Sequence, residues 1–439
     1  MNQTLSKNII RQFTAQIVGV ITGLGSSIIT SRILGPDGRG NFAILINSAS
    51  FLSLILGFSF GSAVVHIVSA NKAPVRNLVN TILLGILILV IVCFFVLLIF
   101  LSFDSFNFLF PSSQSLSFNL IAFLMLFSTM MCSILFNSII SGKKMFFQQQ
   151  VNYFWIAGIS LVLYLIFYYL NNNSQISFKS FIYFYLIINT LPLIGIYYIY
   201  VKYARPTFNF KLLDKIQFKY LANFSFLAYL ANILQFLSYR MDFWFVKYYF
   251  GNNDLGIYSL AVNLAQMLWL LPQAVASVFL SYSSSEQPEV LINQTNVLSR
   301  INFFIMLVAT IILTSSIGFI IPLLYGKQFT NAVFLFRVLL IGIVPFSITT
   351  ILASYFAGRG MQKVNLQCSL IGFVICLMFD LILIPKYGPK GAAYATILSY
   401  TISTSYIIFI YLKHSKSNLI ELLMVRKEDI LFLQKKLKL

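Results

Sequence analysis

The sequence is poor in acid and in charge. Its 439 residues hold 11 Asp and Glu against 30 Lys and Arg, and charged residues make up 9% of the chain. Soluble domains carry roughly 25% charged residues, so a water-solvated globule is excluded. Hydrophobic residues reach 59%, more than a chain of this length can bury away from lipid. Only two His and four Cys are present. Cys93, Cys132, Cys368 and Cys376 all fall in apolar runs, where a thiol acts as a small hydrophobe. That pattern offers no metal-ligand spacing and no disulfide framework. A G-x-x-x-x-G-K-[ST] phosphate loop is missing, which argues against direct use of ATP. No cofactor and no metal are expected. The basic excess does not gather on one polar face, as nucleic-acid binding requires, and no nucleic-acid partner is expected. The opening MNQTLSKNIIRQ leads to no small-residue cleavage site, so no removable signal peptide is expected.

Long apolar runs are what the chain has in plenty. A spanning helix takes about 20 mostly apolar residues. Twelve stretches fit, near 11–31, 42–68, 78–102, 118–140, 151–170 and 180–201, then 221–248, 256–281, 302–324, 333–356, 365–384 and 392–412. The first, second and eighth are diluted by Ser, Thr, Gln, Asn and Gly. Basic residues cluster mainly on the side that holds both ends of the chain, which predicts cytoplasmic termini. The segment 417–439 mixes Leu and Ile with Arg426, Lys427, Lys435, Lys436 and Lys438. It is expected to be a basic amphipathic helix on anionic headgroups; a solvated basic tail is the alternative.

The chain also repeats itself. Gly35-Pro-Asp-Gly-Arg-Gly40-Asn-Phe42-Ala43 and Gly251-Asn-Asn-Asp-Leu-Gly256-Ile-Tyr258-Ser259 share a G-x4-G-x-aromatic-small pattern 216 residues apart. Gly142-Lys143-Lys144-Met145 and Gly358-Arg359-Gly360-Met361 recur at the same offset. The expected fold is therefore all-α and integral to the membrane, with about twelve spanning helices in two parallel six-helix repeats around a central cavity. Residues 1–205 form the N-terminal bundle and 206–416 the C-terminal one. Glycine suits the sharp reversal between the first and second helices, and Gly256 is expected to do the same between the seventh and eighth. Two such bundles can rock about a midplane site, an architecture that points to transport.

Three stretches carry a resemblance. Arg32-Ile-Leu-Gly-Pro-Asp-Gly-Arg-Gly-Asn-Phe-Ala43 resembles the first-loop signature of bacterial polysaccharide flippases. Leu383-Ile-Pro-Lys-Tyr-Gly-Pro-Lys-Gly-Ala-Ala-Tyr-Ala-Thr396 and Pro322-Leu-Leu-Tyr-Gly-Lys-Gln-Phe-Thr-Asn-Ala332 are similar to later segments of the same proteins. These are the O-antigen and polysaccharide exporters (Wzx-like) of the multidrug/oligosaccharidyl-lipid/polysaccharide superfamily. The resemblance implies a flippase that moves undecaprenyl-pyrophosphate-linked oligosaccharide from the cytoplasmic to the outer face of the inner membrane. A polysaccharide polymerase and other glycan-assembly proteins are then expected partners. Twelve helices rather than fourteen argue against a peptidoglycan-precursor flippase.

Ionisable groups inside a span are costly and usually face a cavity or a partner. Arg32, Arg240 and Arg337 are candidates for binding the pyrophosphate, since Arg pairs with phosphate through parallel hydrogen bonds. Snorkelling of Arg32 and Arg337 and a structural role for Arg240 are the alternatives. Asp242 and Asp380 are candidates for a coupling proton or cation, and His66 is a further ionisable group in an apolar run. Asn232, Gln235, Tyr239 and Asp242 share one helix face, and Asn263, Gln266 and Gln273 share another. Both suit a sugar; helix packing is the other reading, and it is favoured for the small polar stripe of Gln12, Gln16, Gly19, Gly23, Ser26 and Thr30. Pro272 and Pro345 are expected to kink their helices. Besides the flippase, two readings stay open. One is a drug or cation antiporter, which should have an acid-rich cavity. The other is a membrane polymerase, which should show a sizeable outer loop with catalytic polar residues.

Overall fold

The computed structural model describes residues 3–57, 60–69, 74–112, 114–143, 145–170, 177–204, 212–283 and 288–426. The side chains of Gln12, Gln16 and His66 lie outside those described. Lipid offers no partners for backbone amides, so a spanning segment must satisfy them within itself, and the described residues contain helices and no strand. In the first repeat these are α1 (Gln3–Leu56), α2 (Phe60–Ser69), α3 (Val75–Ser102), α4 (Leu116–Gly142), α5 (Phe146–Leu170) and α6 (Phe178–Ala204). In the second they are α7 (Lys215–Met267), α8 (Leu270–Ser283), α9 (Pro288–Tyr325), α10 (Asn331–Gly358), α11 (Gln362–Tyr387) and α12 (Pro389–Ser415), with a last turn, α13 (Leu419–Leu423).

Ten of the described helices are long and apolar enough to cross a membrane. Two of them, α1 and α7, bend into two legs at Gly35 (φ 61°) and Gly251 (φ 82°), so the legs number twelve. The chain is an all-α, multi-pass membrane protein. The bends correct one expectation. Gly35 and Gly251 take the left-handed backbone, whereas Gly256 does not. Gly256 serves close packing instead: a Cβ there would overlap the Pro36 carbonyl, as a Cβ on Gly40 would overlap that of Asn252.

The repeat is visible in the hydrogen bonding as well. At the end of α4, Lys143 N–H donates to the Ile139 carbonyl and Met145 N–H to that of Ile140. At the end of α10, Arg359 N–H donates to Tyr355 and Met361 N–H to Phe356. Each acceptor and each donor is displaced by the same 216 residues. This is the Schellman-type close of a helix, and Gly360 holds its left-handed position (φ 73°).

Compactness divides the chain into 1–236 with 251–256, and 237–250 with 257–439. The first unit is cored by α3, α4 and α6, where Phe123, Phe127 and Phe181 are fully buried and Phe167 stacks on Phe184 at 4.1 Å. Arg39 is 4% exposed there. It reaches back over the Gly35 bend to the Ser31 hydroxyl and, at 3.3 Å, to the Ser27 hydroxyl and carbonyl. A buried cation needs such partners, and these tie the two legs of α1 together. The second unit packs α12 against both α10 and α11, with Ile351, Leu352, Phe356 and Tyr411 at its centre. Of the segment 417–439, residues to 426 are described. Leu422 of α13 is fully buried and α13 lies on α9; residues 427–439 lie outside the described ones.

Candidate functional site

The second unit contains a polar cluster inside membrane-spanning helix. Arg240 and Asp242 belong to the leg of α7 that precedes the Gly251 bend, within the candidate span Tyr229–Gln273. Two residues apart, they point about 200° from one another and turn to different partners. Arg240 donates from Nη1 to Oδ1 of Asn263 at 3.0 Å and from Nη2 to Oε1 of Gln266 at 2.7 Å. Its guanidinium also lies over the Phe243 ring, 5.0 Å from the centroid. Hydrogen bonds to a charged group contribute about 1.5–3 kcal/mol each, so the two legs of α7 are firmly joined across their bend.

Asp242, 3% exposed, accepts a hydrogen bond on Oδ2 from the Tyr258 hydroxyl. Tyr258 is fully buried and lies on the second leg of α7. Asp380, fully buried on α11, accepts from the Cys376 thiol at 3.4 Å. Among the described residues, the remaining oxygen of each carboxylate, Oδ1, has no hydrogen-bond partner. The two acids lie within electrostatic reach of one another. A cavity of about 10 Å³, room for about one water, touches Asp242, Tyr239, Gln266, Thr396 and Tyr400. Among the described residues no group of three or more His, Cys, Asp or Glu is placed to hold a metal ion.

Beside the charges stands a knot of four rings from four segments. Tyr239 lies 4.9 Å from Trp269, Trp269 lies 5.3 Å from Phe346, and Phe346 stacks on Tyr400 at 4.6 Å. Trp269 sits where the helix breaks between α7 and α8. There the ladder tightens, with Leu268 N–H on Ala265 and Trp269 N–H on Gln266 at 3.2 and 3.0 Å. Pro272 follows in the first turn of α8, where its lacking N–H is least costly. Pro345 lies inside α10, which runs unbroken from Asn331 to Gly358.

The structure thus gathers Tyr239, Arg240, Asp242, Asn263, Gln266 and Asp380 in one neighbourhood. Arg337 stands on the same unit but is exposed, donating from Nε to the Thr314 carbonyl at 3.0 Å. In the first unit Arg32 is exposed, as are Asn232 and Gln235. Sequence reasoning missed Tyr258, Cys376, Trp269, Phe346, Thr396 and Tyr400 as members of the cluster. Tyr258 carried a signal as the aromatic of the repeated glycine motif, and Thr396 closes the Leu383–Thr396 stretch.

The fold and the sequence have counterparts among known proteins. The model of a family described as polysaccharide biosynthesis protein matches residues 5–280. "Lsg locus putative protein 1" of Haemophilus influenzae is 24% identical over 183 residues, which is 41% of this chain and 45% of that protein, so the match spans less than half of the relative. Among solved structures, the lipid II flippase MurJ in an inward closed conformation superposes with a TM-score of 0.68 at 18% identity, covering 98% of this chain and 95% of that one. An inward-facing multidrug resistance MATE family transporter of the MOP superfamily gives a TM-score of 0.68 at 16% identity, covering 91% and 94%. The structures share the fold, the family model matches well over half of the chain, and the chain belongs to the polysaccharide biosynthesis protein family.

Proposed function

We propose that this protein is a flippase. It carries undecaprenyl-pyrophosphate-linked oligosaccharide from the cytoplasmic to the outer face of a bacterial inner membrane by alternating access, with both termini cytoplasmic. The observation that carries this reading is Arg240, a cation placed inside a span and flanked by amides, in a chain of a polysaccharide biosynthesis family. Positive charge in a water-poor setting favours a pyrophosphate, and amides and phenols suit sugar hydroxyls. In this reading Arg240 with Asn263, Gln266 and Tyr239 serves the headgroup. Arg32 and Arg337 are further cationic contacts, and Asn232 and Gln235 further sugar contacts. A polysaccharide polymerase and other glycan-assembly proteins receive the product.

Asp242 and Asp380 are the proposed coupling site. Two ionised carboxylates in one membrane-interior neighbourhood are costly, and a proton or a monovalent cation relieves that cost. The unpartnered Oδ1 atoms support this role. The same acids favour the second reading, a drug or cation antiporter. One experiment separates the two. In a cell that lacks its own polysaccharide flippase but keeps the glycan pathway native to this protein, lipid-linked repeat units should reach the outer face when it is expressed. Drug resistance gained without such export would replace the flippase with the antiporter.

A further inference from the structure

A guanidinium has five N–H donors and no acceptor. Arg240 therefore engages Asn263 and Gln266 only through their carbonyl oxygens, at 3.0 and 2.7 Å, and the orientation of both amides follows from chemistry. A carboxamide held by its oxygen directs its NH2 group the other way. Asn263 and Gln266 lie one turn apart and are only partly buried, so their NH2 groups share a helix face. Three residues further on, Trp269 continues that face. It is 8% exposed, its ring is fixed by Tyr239 and Phe346, and among the described residues its indole N–H has no acceptor.

We propose that Arg240 is a positioning residue. By occupying the oxygens of Asn263 and Gln266 it turns their NH2 groups, together with the Trp269 N–H, into a donor face without acceptors, and that face is what touches an oxyanion of the substrate. The inference rests on the flippase reading and deepens it: the amides and the indole are the ligands, and the arginine works through them. A row of donors whose own oxygens are occupied suits phosphate or carboxylate oxygens, which only accept. The arginine charge polarises the amides, which strengthens each donor without direct contact. Two chemistries fit, the pyrophosphate of a lipid carrier and the carboxylate of an acidic sugar.

The test uses the full-length protein in lipid nanodiscs. Binding of farnesyl pyrophosphate and of octyl glucuronic acid is measured against neutral farnesol and octyl glucoside, beside thermal unfolding of each variant. Wild type should prefer at least one anion over its neutral counterpart, and whichever it prefers names the source of the oxyanion. Asn263→Ala with Gln266→Ala should weaken that anion by about tenfold or more, as expected for lost charge-assisted hydrogen bonds. Trp269→Phe, which keeps an aromatic ring but has no N–H to donate, should weaken it by about threefold or more. Arg240→Ala should weaken it too, and Arg240→Lys, which still donates to both amides, should restore most of it. An alanine pair that binds the anion as well as wild type, or better, would make the freed arginine the ligand and overturn the inference. So would a loss of thermal stability with affinity unchanged, since the amides would then be a structural lock. A wild type blind to both anions overturns it as well, whereas the flippase reading stands or falls separately on export in cells.

Discussion

The carbonyl of Asn252 occupies the place where a Cβ on Gly40 would sit, and the carbonyl of Pro36 does the same to Gly256. The two contacts exchange positions under the 216-residue repeat, so each copy of the glycine motif supplies both the glycine and the carbonyl. Gly40→Ala or Gly256→Ala forces backbone apart and should cost about 1–3 kcal/mol, read as a lower unfolding temperature and lower membrane abundance. Gly158→Ala is the control. Nothing lies within 4 Å of its Cβ position, and alanine there should gain up to about 1 kcal/mol from helix propensity.

Tyr258→Phe removes the hydroxyl that serves Asp242 and leaves a second carboxylate oxygen unpartnered. A destabilisation of about 1–3 kcal/mol is expected, measured by thermal unfolding in nanodiscs. Asp242→Asn should instead leave the fold as stable as wild type or more so, because it removes a charge from a membrane interior. If Asp242 couples the gradient, the same variant should make export independent of it. A stable Asp242→Asn protein that stays fully gradient-dependent would remove Asp242 from that role.

The C-terminal turn is anchored by the burial of Leu422 and by buried Arg300, which donates to the Glu421 carbonyl at 3.3 Å, rather than by its surface ion pair. Leu422 is fully buried against α9 and its neighbours, while in the Arg426–Glu421 pair, at 3.3 Å, Arg426 is exposed and Glu421 half-buried. Leu422→Ala should cost about 2–5 kcal/mol locally and open the turn to protease. Arg426→Gln should change stability by less than about 1 kcal/mol. Equal protease resistance in both variants would contradict the assignment.

Much of the fold was legible because lipid imposes a simple code. Spans show as apolar runs, and the repeat shows as two motifs at one offset. The glycines were legible as a pattern and misread in part, since a left-handed turn at Gly251 and a close approach at Gly256 demand the same letter. The break at Leu268–Trp269 left only Pro272 as a trace. Within the cluster, Arg240 and Asp242 announced themselves as charges in an apolar run. Asn263 and Gln266 showed as a polar helix face and Tyr258 as a motif aromatic, but their pairing with these charges did not show. Asn263, Gln266 and Tyr258 meet them only because α7 bends at Gly251, and Trp269, Phe346 and Tyr400 come from separate segments. Contacts made by bending and by helix-on-helix packing have no signature along the chain.

The most direct test of the proposed function places the purified protein in vesicles with a fluorescent undecaprenyl-pyrophosphate-linked oligosaccharide in one leaflet and follows its arrival in the other. Wild type should move it faster than protein-free vesicles. Arg240→Ala, at matched incorporation, should lose about tenfold or more of that rate, the loss expected for a charge-assisted contact, and Arg240→Lys should keep part of it. Movement no faster than in protein-free vesicles, by correctly folded wild type under an imposed proton or sodium gradient, would contradict the account.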